Sequence, residues 1–154
     1  MKRFKFRLER LLQIFYKRRD QQKIQLSKVQ RELNKKELEI EEFRVFLNGK
    51  EQRYSVLMKS GDILPMDCVA WENYIDFQYI SLEKHIQERK KIQIRLENAK
   101  RQYIAIDKEV KTLEKLKDKK KFRFNTELSR EEQKEMDEIA IQRIVKAEKT
   151  NEGV

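Results

Sequence analysis

The sequence predicts an all-α fold, a long antiparallel two-helix coiled-coil hairpin with a C-terminal helical extension. Three observations predict it. Apolar residues recur at alternating steps of three and four along two stretches of matched length. One short segment carrying Gly61 and Pro65 separates the two stretches. Of the 154 residues 42% are charged and 38% hydrophobic. Globular domains average about a quarter charged residues, so this balance suits thin apolar seams with broad solvated faces. The apolar residues are too many and too regular for a disordered chain.

The first helix is expected over about residues 4–59. Leu12, Leu26, Leu33, Ile40 and Leu47 share one seven-residue register, and Leu8, Phe15, Val29, Phe43 and Leu57 share the register interleaved with it. Such a seam cannot bury itself, and a helix of this length is stable only against a partner. Arg19, Gln22, Lys36 and Lys50 are polar members of the seam. Long basic side chains there reach water along their stems. They weaken the seam and can fix its register.

The bend is expected at residues 60–65. Gly61 suits the left-handed position that ends a helix, and Pro65 suits the first turn of the next. So short a connection favours antiparallel neighbours. The second seam runs through Cys68, Trp71, Ile75, Gln78, Leu82, His85, Arg89, Ile92, Leu96, Ala99, Tyr103, Ile106, Val110 and Leu113. Folding about the bend pairs positions whose numbers sum to about 125, which sets Phe43 near Leu82, Val29 near Leu96 and Leu12 near Leu113.

The second helix is expected over about residues 66–121, continuing or kinking to about 148. The whole chain, 1–154, reads as a single elongated coiled-coil domain. After about Lys121 the second helix has no partner left in the chain. Residues 122–129 weaken helical propensity, and Ser129 with Glu132 forms a possible capping box, so a kink or a fresh start near 129 fits the pattern. Met136, Ile139, Ala140, Ile144 and Ala147 then form another apolar stripe, either a partner surface or a frayed terminal helix.

The net charge is +10 and is unevenly spread. Residues 1–19 carry eight Lys and Arg against Glu9, and residues 117–123 carry five against Asp118. Residues 127–138 reverse the sign, with six acidic residues against Arg130 and Lys134. Hairpin pairing brings residues 2–10 alongside 115–123. Arg3, Lys5, Arg7 and Arg10 then join Lys119, Lys120 and Arg123 in one basic surface suited to an acidic partner. Phe77 falls off the seam, on a flank shared with Tyr74 and Ser81, where a large ring can anchor a partner.

Little in the chain suggests chemistry. His85 and Cys68 lie seventeen positions apart, roughly 25 Å along a helix, too far for one zinc site. The three glycines are scattered and form no phosphate loop. Glu41-Glu42 and Glu131-Glu132 fall on solvated helical faces with no cleft to shift their pKa values. No catalytic residue, metal or cofactor is expected. One cysteine excludes an internal disulfide framework and fits a reducing cytoplasm. The first ten residues lack the apolar run of a signal peptide, and charges interrupt every window long enough to span a membrane.

Three stretches together resemble the bacterial flagellar FliJ family. They are Phe4-Lys5-Phe6-Arg7-Leu8-Glu9-Arg10-Leu11-Leu12; then Trp71-Glu72-Asn73-Tyr74 with Phe77 and Leu82-Glu83-Lys84; and finally Leu113-Glu114-Lys115-Leu116 with Glu132-Gln133-Lys134-Glu135-Met136-Asp137-Glu138-Ile139-Ala140. The resemblance implies a non-enzymatic part of the flagellar type III export apparatus. It implies an antiparallel coiled coil, similar to the shaft of rotary ATP synthases, that inserts into the hexameric export ATPase ring. It also implies contact with the cytoplasmic domain of the export gate through Phe77, Leu82 and His85, and help to export chaperones. The implied location is cytoplasmic, peripheral at the membrane face of the flagellar base, with the membrane touched only indirectly. Leu82 and His85 also fall on the seam, where packing is the simpler role. The rival readings are a basic coiled-coil nucleic-acid binder, since the pI is about 9.6, and a generic tether or chaperone. Phe15, Phe43 and Trp71 are seam residues rather than a stacking platform, so no nucleic-acid partner is expected.

Overall fold

The structure, a computed structural model, describes residues 2–153. Two helices account for nearly all of them, α1 (Glu9–Ser60) and α2 (Pro65–Asn151). Together they form a two-helix hairpin. The chain packs as two compact units, Lys17–Ile106 and Met1–Tyr16 with Asp107–Val154, and each helix contributes to both.

The Lys17–Ile106 unit contains the bend. The Ser60 hydroxyl donates to the carbonyl of Leu57 at 3.0 Å, using one of the acceptors that a helix end leaves open. Gly61 follows with φ +70°, a conformation that costs an L side chain dearly and glycine little. Pro65 then opens α2, and the Cys68 N–H donates to the carbonyl of Leu64. The α1–α2 contacts run antiparallel, with Gln22 on Gln102 at 2.7 Å, Glu32 on Arg95 at 2.9 Å and Tyr54 on Glu72 at 3.1 Å.

The core of this unit is the seam. Val29, Leu33 and Leu96 form one buried cluster, with Leu26 and Ile92 packed on it. Ile40, Leu47 and Leu82 form the next, with Phe43, Ile75 and Ile86. Burying each such side chain contributes about 1.5–3 kcal/mol. A polar layer interrupts the apolar ones. The Lys36 side chain is 12% exposed, and its ammonium pairs with the Glu88 carboxylate and reaches Nδ1 of His85 at 2.9 Å. The Glu88 partner holds Lys36 above its usual pKa, and Lys36 holds Glu88 below the usual carboxylate range. A seam lysine thus stays charged because its ammonium leaves the apolar layers for a carboxylate.

In the other unit Leu12 and Val110 are fully buried. The Tyr16 hydroxyl donates to Glu114 at 2.6 Å, and Lys117 pairs with Glu9 at 2.7 Å. Here the structure corrects the expected helix start near residue 4. Residues 2–6 are not helical, and α1 begins at Glu9, whose N–H donates to the carbonyl of Phe6. The residues before it form an extended arm along α2. Phe6 is 8% exposed, the Phe4 ring lies 5.7 Å from that of Phe124, and Lys2 pairs with Glu131 at 3.0 Å. An extended chain covers about 3.3 Å per residue against about 1.5 Å for a helix. The arm therefore reaches Glu131 rather than stopping near residue 123, and α2 does have a partner after Lys121.

Of the two courses left open beyond residue 121, continuing or kinking near 129, α2 takes the first and runs uninterrupted through 122–129. The Thr126 hydroxyl returns to the carbonyl of Phe122 at 2.9 Å, an i–4 bond that a helix accommodates. Ser129 lies within a helix already propagating, where a cap has no free N–H groups to satisfy. Every residue from Glu131 to Gly153 is exposed.

Candidate functional site

Arg3, Lys5, Arg7 and Arg10 come from the arm and the first turn of α1, and Lys119, Lys120 and Arg123 from α2. All seven are exposed, and all belong to one unit. Two contacts frame them, Phe4 on Phe124 and Glu9 on Lys117. Lys5 and Arg7 lie in the sequence between the first members of these contacts, and Lys119, Lys120 and Arg123 between the second. The Glu9 carboxyl is held below the usual range by hydrogen bonds from Lys117 and then Gln13, so it answers Lys117 rather than the seven. Extension of the arm spreads the basic residues further along α2 than a helical start would.

Phe77, Leu82 and His85 fall in three different environments. Phe77 is 66% exposed on α2. Leu82 is 8% exposed and belongs to the Ile40–Leu47 cluster. His85 is half-buried, bonded to Lys36, with its ring 5.6 Å from that of Phe43. Of the three, only Phe77 presents most of its side chain to solvent.

A surface that the sequence reading missed lies near Phe77. Lys50, Ala70, Trp71 and Tyr74 line a shallow groove of about 300 Å³. The Trp71 ring is stacked by Tyr54 at 6.0 Å and met edge-on by Tyr74 at 6.3 Å. The Lys50 ammonium sits 5.3 Å from the centre of the Phe46 ring. The signal was available, because Phe46 and Lys50 are four apart and so neighbours on one helical face. On the other flank Tyr54 and Tyr79 donate to Glu72 and Glu51. Both hydroxyls have raised pKa values, Tyr54 chiefly from burial and Tyr79 chiefly from Glu51. Among the described residues no helix is long and apolar enough to cross a membrane.

Seams buried between two helices, open grooves and exposed charge define a two-helix coiled-coil hairpin. The family model described as "Flagellar FliJ protein" matches residues 4–149, and the chain belongs to the FliJ family. It is thereby a component of flagellar protein export, in a family of non-catalytic components. No curated protein and no solved structure matches the chain.

Proposed function

We propose that the chain acts as a non-enzymatic stalk and escort of the flagellar export apparatus. Its basic end enters the hexameric export ATPase ring, and the Phe77 flank meets the cytoplasmic domain of the export gate. Export chaperones dock on the same hairpin, which works in the cytoplasm at the membrane face of the flagellar base. The observation that carries the reading is the exposed cation set Arg3, Lys5, Arg7, Arg10, Lys119, Lys120 and Arg123 in one unit. A ring lined with carboxylates is the natural complement of such a set.

Single exposed charges contribute little, so the test reverses several. A variant carrying Arg3→Glu, Arg7→Glu, Lys120→Glu and Arg123→Glu should keep its helicity and lose binding to and stimulation of the export ATPase. Undiminished stimulation would remove this surface from the reading. For the gate, Phe77→Ala should leave the melting temperature within scatter and weaken binding to the gate's cytoplasmic domain. Leu82 and His85 serve the gate only indirectly on this reading, by holding the helix that carries Phe77.

A further inference from the structure

The arm before α1 sorts its side chains by kind. Arg3, Lys5 and Arg7 are exposed, while Phe6 is buried and Phe4 half-buried. An extended segment sends successive side chains to opposite faces, so the phenylalanines go to α2 and the cations to solvent. A helix over the same residues would not sort them. Residues two apart on a helix point roughly 200° apart, which would set Lys5 opposite Arg3 and Arg7 and part the two phenylalanines. The one-sided row of cations therefore exists only while the arm lies extended along α2.

Docking of the arm works against charge. Between the Glu9–Lys117 and Phe4–Phe124 contacts the arm runs along the stretch of α2 that carries Lys119, Lys120 and Arg123. Like charges gathered on one surface repel one another. The Lys2–Glu131 pair offsets little of this, since both side chains are more than half exposed. What holds the arm is the burial of Phe6 and the tilted contact of Phe4 on Phe124 at 5.7 Å. We propose that Phe4, Phe6 and Phe124 are positioning residues, which latch the arm on α2 and so assemble Arg3, Lys5 and Arg7 into the basic face that an acidic partner meets. The proposal rests on the ATPase-docking reading above, and adds that the arm cations count only while the phenylalanines are latched. An acidic partner neutralises the repulsion that opposes latching, so partner binding and latching reinforce each other.

A double-mutant cycle on the full chain, read as affinity for the export ATPase, tests it. Neutralising the arm with Arg3→Gln, Lys5→Gln and Arg7→Gln should weaken binding about tenfold in the wild-type background, a small loss per exposed charge. Unlatching it with Phe4→Ala and Phe6→Ala leaves every charge in place and should also weaken binding about tenfold, by lowering the fraction of chains with the arm docked. In that unlatched background the glutamines should then cost less than about twofold. Amide exchange in residues 110–128 should rise in the alanine pair and not in the glutamine triple, and Phe4→Leu with Phe6→Leu should bind like wild type. Phe124→Ala opens the latch from the α2 side, where alanine favours the helix, and should shrink the cost of the glutamines in the same way. A full tenfold cost of the glutamines in the unlatched chain overturns the proposal, since the cations would then act without the latch. So does an unlatched chain that binds as tightly as wild type. Glutamines that cost nothing in the wild-type chain overturn the ATPase-docking reading of the arm and this proposal with it, which tells the two failures apart.

Discussion

α2 is one helix in two situations. Between Pro65 and Ile106 every third or fourth residue is shielded by α1, and Leu82, Leu96 and Ala99 are buried. From Glu132 to Asn151 every residue is exposed, and Ile139, Ile141 and Ile144 stand in water. The local ingredients are similar in both stretches, with isoleucines among Glu, Lys, Gln and Ala, all compatible with a helix. The difference teaches that helix formation and burial are decided separately here. Composition and i,i+4 contacts such as Gln133 on Asp137 at 3.0 Å favour the helix. Only a second strand of chain provides the burial.

The sharpest way to break that comparison is truncation of the apolar side chains in both stretches. Leu33→Ala or Ile40→Ala should cost about 2–5 kcal/mol, since both side chains are buried between the helices. Ile139→Ala and Ile144→Ala in the monomeric chain should each stay within about 0.5 kcal/mol. Urea melts of the four variants at high salt decide it, and equal losses in both pairs would erase the distinction.

The arm is the intermediate case, a partner that is not a helix. Phe6→Ala should cost about 1.5–3 kcal/mol of arm docking. It should raise amide exchange in residues 110–128 of α2 while leaving 75–99 as protected as before. An even rise across both stretches would mean that the arm does not act locally.

Gly49 sharpens the role of propensity. It is exposed within α1, and a Cβ there would meet nothing within 4 Å. Gly49→Ala should therefore stabilise the chain by about 0.5–1 kcal/mol. The same change at Gly61 should destabilise it, because φ there is +70°. Thermal melts of the pair should shift in opposite directions.

The smallest effect is the pH dependence. The Glu9 and Glu88 carboxyls are held below their ordinary value when folded. Their contribution is therefore present above that ordinary value and lost as pH falls through the depressed one. Lys36 is raised, so its contribution is present below the ordinary lysine value and lost as pH climbs past the raised one. Stability should be flat between the two ranges and fall on either side. In Glu88→Gln the acid-side fall of the melting temperature should be shallower than in wild type, and an unchanged slope would assign the fall to other groups.

Both seams were legible in the sequence because three-four spacing has only one helical meaning at this length. Leu12, Val29, Leu33, Ile40, Leu47, Leu82, Leu96, Ala99 and Val110 all stood on the expected registers and are all buried. The bend was legible because glycine and proline punctuate it. The arm was not. Phe4, Phe6 and Leu8 alternate in the manner of an extended segment, yet Leu8 also continues the heptad, and the heptad reading prevailed. Phe124 provides the surface on which the alternation is used. At Ser129 the sequence left a kink and a continuous helix both open, since a capping box reads the same in a helix that is starting and in one already under way. The Lys36–His85–Glu88 layer was half legible. Lys36 and His85 were both placed on the seam, but the carboxylate that makes a seam lysine tolerable lies off it, at Glu88.

Hydrogen exchange on the dilute, monomeric chain at high salt tests the separation of helix from burial most directly. Amides of 26–47 and 75–99 should exchange slowly, and those of 131–151 should exchange orders of magnitude faster while circular dichroism still reports them helical. Protection of 131–151 equal to that of the paired stretches would contradict the account.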